Sequence, residues 1–232
     1  MIISHSHKFI FIKSIKTAGT SIEAVLSNYC SGSDFVTPLY DYAFNRDEKG
    51  KFIHQSMNAE ESKEIVQHVD ALTLKEKIPD DIWHDYFKFS IIRNPWDRAV
   101  SNFYWEKRQD PTLNPRKRFY HHLGVPFDEL AALRKKFSTY IRSDNWDNND
   151  SFYTIDGELC VDFVIRYENL AEDFNKVCKK IGVQTDSLPH LKSGIRKKSY
   201  HYSEYFDEES KAIVEERHRN DIRLFNYQFE TG

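Results

Sequence analysis

Lys16, Thr17, Ala18, Gly19, Thr20 and Ser21 form a compact polar run between the apolar stretch Phe9–Ile12 and the helically spaced Ile22, Val25 and Leu26. That order reads as a buried strand, a tight loop and the start of a helix. A loop of this kind suits an anion. Backbone N–H groups at a helix N-terminus attract negative charge, a lysine adds a point charge, and hydroxyls add donors. The order is not that of an ATP-binding Walker loop, because Lys16 precedes Gly19 and no glycine stands five residues before Gly19. The plainer alternative is a strand-to-helix turn with an incidental lysine. A second place for chemistry is Arg93, which leaves the apolar run Phe87–Ile92, with Ser101 two turns into the helix that follows. An arginine there can make paired hydrogen bonds to a phosphate, and the serine can add a hydroxyl. Taken singly, Arg93 also reads as a structural ion-pair partner and Ser101 as a small packing residue.

The elements that must position these residues alternate. Strands are expected over 9–12, 87–92 and 161–165, and helices over 20–30, 58–68, 96–107, 126–137, 170–181 and 204–219. Pro95 suits the first turn of the helix after Arg93. Asp156-Gly157 is a hairpin-turn signal. Residues 31–50 and 184–203 read as irregular, 72–85 as mixed helical turns, and 51–56 as an extended piece that delivers His54 into a loop. Alternating strands and helices imply an α/β class with a mainly parallel sheet, in which ligands bind beyond the carboxyl ends of the strands.

The chain has 232 residues, 40% of them apolar and 15% aromatic, enough for one well-buried domain. A net charge of -3 argues against a general nucleic-acid binder. No run approaches a membrane span, and Met1–His7 lacks the pattern of a signal peptide. Cys30, Cys160 and Cys178 are odd in number and without metal-site spacing, which reads as a reduced, cytoplasmic chain. The ten histidines form no metal motif, so no metal is expected.

Together the motifs resemble those of sulfotransferases that use 3′-phosphoadenosine 5′-phosphosulfate (PAPS). Lys16-Thr17-Ala18-Gly19-Thr20-Ser21 resembles the 5′-phosphosulfate loop of that family, and Arg93 through Tyr104 resembles its R-x-P-x-x-R-x-x-S-x-x-Y element for the 3′-phosphate. Arg166-Tyr167-Glu168-Asn169-Leu170 resembles its R-Y-E-x-L segment, and Asp221 through Phe229 resembles the D-x-x-x-F-x-Y-x-F tail of its carbohydrate-type branch. The K-T-A-x-T-S form is similar to the branch that includes heparan sulfate 2-O-sulfotransferase, and the compact chain looks like a bacterial relative. The resemblance implies a P-loop-like three-layer α/β domain, with a mainly parallel central sheet flanked by helices, over residues 1–232 as a single sulfotransferase domain.

It also implies roles. PAPS would be the donor and adenosine 3′,5′-bisphosphate the product, with no metal required. Lys16 would stabilise charge on the leaving phosphate oxygen, and Thr17, Ala18, Gly19, Thr20 and Ser21 would hold the 5′ end. Arg93 and Ser101 would hold the 3′-phosphate. His54 is the expected general base, by its place between the two motifs, with Glu23 as rival. Ser193, Arg196 and Lys197 resemble in position a loop that closes over the cofactor phosphates, though a solvated basic loop is the alternative. The acceptor would be a carbohydrate or another hydroxyl compound, with room for peripheral contact with a membrane-linked glycan. Arg116–Arg118 and Arg134–Lys136 could steer an anionic acceptor, or be merely solvated. Glu168 reads as a structural partner for a buried donor. The competing functions are a nucleotide-dependent kinase, for which the glycine–lysine order is wrong, and a catalytically silent nucleotide- or glycan-binding module.

Overall fold

A computed structural model describes residues 1–37, 68–108, 128–143, 148–185, 188 and 200–232. The chain divides into two compact units. One comprises Met1–Arg93 and Asn149–Leu191, the other Asn94–Asn148 and Lys192–Gly232.

The first unit is built on a five-stranded sheet of β1 (Ile2–Ser4), β2 (Phe9–Phe11), β3 (Phe35–Val36), β4 (Phe87–Ile92) and β7 (Phe163–Arg166). Their order across the sheet is β3-β1-β2-β4-β7. β2 and β4 pair in parallel with Phe11 opposite Phe89, and β4 pairs in parallel with β7 with Ile91 opposite Ile165. Phe9, Ile10 and Phe11 are all fully buried, as a strand covered on both faces requires. Phe89 stacks on Phe11 at a centroid distance of 5.1 Å. Helices α1 (Gly19–Leu26), α2 (Ala71–Lys77), α3 (Asp80–Asp85) and α6 (Leu170–Ile181) accompany this sheet. The α6 helix buries Phe174, Val177, Cys178 and Ile181, one face at helical spacing, and these join the sheet's core cluster with Ile22 and Val25 of α1. Gly182 ends α6 in the left-handed conformation, φ 71°.

The expectation of a mainly parallel sheet needs correction. β1 is antiparallel to both β2 and β3, so the sheet is mixed. The turn joining β1 to β2 is tight, with Lys8 at φ 50°, and Asp34 fastens it by accepting hydrogen bonds from the His5 and Ser6 amides at 2.6 and 3.1 Å. A two-residue edge strand, β3, lies inside the stretch read as irregular. Its shortness hides it from any period-2 pattern. A small hairpin, β5 (Thr154–Ile155) and β6 (Glu158–Leu159), turns at Asp156-Gly157 with both φ values positive, as that dipeptide signals.

The second unit is helical in its described residues: α4 (Pro95–Glu106), α5 (Glu129–Ile141), α7 (Glu208–Arg217) and α8 (Arg219–Phe225). Its core is aromatic. Phe103 packs on Phe137 and Tyr140 at centroid distances of 5.5 and 5.6 Å, and the Tyr104 and Tyr205 hydroxyls meet at 2.9 Å. The helix expected over 204–219 divides into a 3₁₀ turn, Tyr202–Tyr205, and α7. The break falls at Asp207, whose side chain caps α7 by accepting from the Ser210 amide at 2.7 Å. The piece expected over 51–56 and most of the helix expected over 58–68 lie outside the described residues. Among the described residues no helix is long and apolar enough to cross a membrane.

Candidate active site

The polar loop after β2 remains attached to the sheet. The Ile12 amide donates to the Phe89 carbonyl at 3.0 Å. The Ser14 hydroxyl donates to the Ile91 carbonyl at 2.5 Å and lies 2.8 Å from the Thr17 hydroxyl. Thr17 is fully buried, so its side chain braces the loop from within. Lys16 and Ala18 both stand in the left-handed region, at φ 63° and 66°. Ala18 is the N-cap of α1, and no side chain caps that helix. Left-handed and right-handed residues in succession turn backbone N–H groups toward a common point, a concavity suited to an anion.

Beneath the loop lies a buried charge cluster. Glu23 of α1 accepts from Lys13 Nζ at 2.5 Å, and its other oxygen receives the Met1 amine and, at 2.8 Å, the Thr37 hydroxyl. Burial works against the carboxylate, but the Met1 amine and Lys13 outweigh it and hold Glu23 down at about 2. Gly19 packs against the Lys13 stem so closely that a Cβ there would sit 2.7 Å from Lys13 Cγ.

Arg93 is brought to the loop. Its Nη1 donates to the Lys16 carbonyl at 3.2 Å, and its guanidinium lies 4.1 Å from the centre of the Tyr167 ring. Tyr167 of the Arg166–Leu170 segment thus orients the arginine. Ser101 belongs to the second unit, half-buried on α4. His54, Ser193, Arg196 and Lys197, and the basic run 116–118, lie outside the described residues. Arg134 and Lys135 are exposed on α5, and Arg134 Nε donates to the Glu204 carbonyl.

Sequence reasoning missed three residues around the loop. Asn149 is buried and bonds both backbone groups of Ile15. His68 keeps an exposed edge but places Nδ1 2.9 Å from the Lys13 carbonyl. Packing around its bonded side, with the Lys13 and Met1 charges nearby, pushes its imidazole down to about 4. Neither residue carries a motif signal, since each acts on backbone far away in sequence. The third is Lys13, whose side chain is committed to Glu23 rather than to a ligand.

Within the second unit, Arg98 is buried and its Nη2 lies 2.9 Å from His218 Nε2, while His218 Nδ1 lies 3.0 Å from Asp221 Oδ2. A guanidinium only donates, so Nε2 accepts and Nδ1 carries the proton to Asp221. The second arginine of the Arg93–Tyr104 element and the aspartate of the C-terminal segment are thereby parts of one buried chain. Burial pushes the free thiol of Cys30 up to about 12 and those of Cys160 and Cys178 up to about 11, which disfavours their thiolates at neutral pH.

A mixed α/β sheet thus carries, at a strand end, a lysine-bearing loop that leads into a helix with no side-chain cap, the local make-up of many anion sites. The chain belongs to the sulfotransferase family, whose model matches residues 1–228. Among similar proteins, an uncharacterised protein of Archaeoglobus fulgidus is 31% identical over 113 residues, covering 49% of this chain and 82% of that one. A crystal structure of a sulfotransferase from Alicyclobacillus acidocaldarius is 16% identical and covers 96% of both chains, with a TM-score of 0.35.

Proposed function

We propose that this sulfotransferase uses PAPS as donor and transfers the sulfuryl group to a hydroxyl of a carbohydrate acceptor, with residues 1–232 working as one P-loop-like sulfotransferase domain. The observation that carries this reading is the Lys16 loop: a helix start with no side-chain cap, left-handed residues at Lys16 and Ala18, and Arg93 bonded to the loop backbone. These features fit a phosphate ester, and Arg93 and Ser101 are the donors proposed for a second one. PAPS supplies an activated sulfuryl group and, in its 5′-phosphate, a good leaving group. Lys16 places positive charge where the leaving oxygen gains negative charge, and the amides leading to Ser21 hold the 5′-phosphate. Arg93, already oriented by Tyr167, binds the 3′-phosphate with Ser101. Ser193, Arg196 and Lys197 would close over the phosphates.

His54 is the proposed base for the acceptor hydroxyl. Glu23 is unsuited, because it is buried, engaged on both oxygens and held at about 2, too weak a base for a hydroxyl near neutral pH. Position and charge stabilisation suffice for this reaction, so no metal is assigned a part. The free thiols of all three cysteines support a cytoplasmic setting.

The test is calorimetric titration of the full chain with adenosine 3′,5′-bisphosphate and with adenosine 5′-phosphate. The bisphosphate is expected to bind at least tenfold more tightly, and Arg93→Ala to abolish that preference, in keeping with the loss of a charge-assisted contact. Equal, weak binding of both nucleotides would end the PAPS reading. His54→Ala is expected to retain bisphosphate binding and lose turnover.

A further inference from the structure

We propose that Asn149 is a positioning residue that clamps the Lys16 loop in its anion-ready conformation. The identity of the anion rests on the PAPS reading, but the clamp itself does not.

One side-chain amide serves both backbone groups of Ile15. Asn149 Nδ2 donates to the Ile15 carbonyl at 2.7 Å, and Asn149 Oδ1 accepts from the Ile15 amide at 3.3 Å. The pair imitates the exchange of bonds between neighbouring strands at the place where β2 has already run out. Only a carboxamide offers a donor and an acceptor at that spacing; a carboxylate lacks the donor and an aliphatic side chain lacks both. Asn149 is 1% exposed, so the two bonds are shielded from water.

What the clamp holds is strained. Ile15 directly precedes Lys16 at φ 63°, and Ala18 follows at φ 66°. Each left-handed non-glycine residue is disfavoured by roughly tenfold or more, so the conformation persists only where neighbours over-determine it. Arg93 restrains the Lys16 carbonyl, and Asn149 restrains Ile15. The base of the clamp is itself anchored. The Phe152 amide donates to the Asn149 carbonyl at 3.1 Å, and the Thr154 hydroxyl to the Asp150 carbonyl at 2.8 Å. The Phe152 ring also packs edge-on against His68, which reaches the Lys13 carbonyl. The segment 149–154 therefore grips the loop at Ile15 directly and at Lys13 through His68.

The test is amide hydrogen exchange on the unliganded full chain, followed by calorimetry. In Asn149→Ala, exchange over residues 12–22 is expected to speed up about tenfold, the worth of two modest hydrogen bonds, while β4 stays as protected as in the wild type. Adenosine 3′,5′-bisphosphate and adenosine 5′-phosphate should each bind about tenfold more weakly, because their shared 5′ end meets the loop; Arg93→Ala should instead remove the preference between them. Adding Ala18→Gly to Asn149→Ala should recover part of the affinity, since glycine adopts the left-handed region freely. Should Asn149→Ala fail to fold, Asn149→Asp retains the volume and the acceptor, loses the donor, and is expected to loosen the same stretch. Unchanged exchange over 12–22, or a uniform rise across the whole sheet, would overturn the proposal, the latter by making Asn149 a general stabiliser. If neither nucleotide binds the wild type, the PAPS reading fails while the exchange result still decides the clamp.

Discussion

Two strand-to-helix junctions in this chain solve the same local problem in opposite ways. After β2, helix α1 starts from Ala18 with no side-chain cap, preceded by two left-handed residues that are not glycine. After β4, helix α4 starts from Asn94, whose side chain accepts from the Trp96 and Asp97 amides at 3.1 and 3.2 Å, with Pro95 in the first turn. The second junction satisfies its first-turn amides with the Asn94 side chain, so any ligand role proposed near it falls to side chains such as Arg93. The first has no side-chain cap, and its Ser21 amide turns back to the Ala18 carbonyl at 2.9 Å, so the amides ahead of Ser21 are the ones the proposed anion site would use. Local stability and anion affinity compete for the same N–H groups, and the two junctions stand at opposite ends of that competition.

The difference can be tested by breaking each junction in turn. The largest effect is expected beneath the open one. Glu23→Gln leaves Lys13 buried without its partner and should destabilise the chain by about 3 kcal/mol or more in chemical denaturation at pH 7. The pH dependence has a definite sign. Glu23 has a folded value of about 2 against an ordinary 4.5, so its stabilisation is present above 4.5 and is lost as the pH falls toward 2. Wild-type stability should drop through that window, and Glu23→Gln should flatten the drop; an unaltered slope would show that the cluster contributes nothing. Next comes Gly19→Ala. Its Cβ would press on the middle of a buried, ion-paired lysine stem, at a cost of about 1–3 kcal/mol, with anion affinity falling as the loop is displaced. The smallest effect belongs to the closed junction. Asn94→Ala should lower stability by about 1 kcal/mol through loss of the cap, and adenosine 5′-phosphate binding should hardly change. A larger loss of nucleotide affinity in Asn94→Ala than in Gly19→Ala would reverse the comparison.

Much of the frame was legible in the residues. The Phe87–Ile92 strand and the Leu170–Ile181 helix have the expected bounds, because a continuous apolar run and a clean amphipathic spacing are local signals. β1 and β3 were not legible. They are three and two residues long, β1 pairing on the edge of β2 and β3 on the edge of β1, with Asp34 holding the turn between β1 and β2. Tyr167 holds Arg93 through its ring, a contact that no spacing rule announces.

The sequence by itself determined the α/β class, the family motifs and the residue types able to meet an anion, because these depend on local periodicity and on chemistry within a few residues. Only the tertiary structure decided which of those groups are free to act. Glu23 and Lys13 neutralise each other under the loop, Thr17 is turned inward, Arg98 is committed to His218, and Asn149 reaches Ile15 from 134 residues away. Commitment of a polar group depends on who stands beside it once the chain has closed, and burial makes those partnerships obligatory.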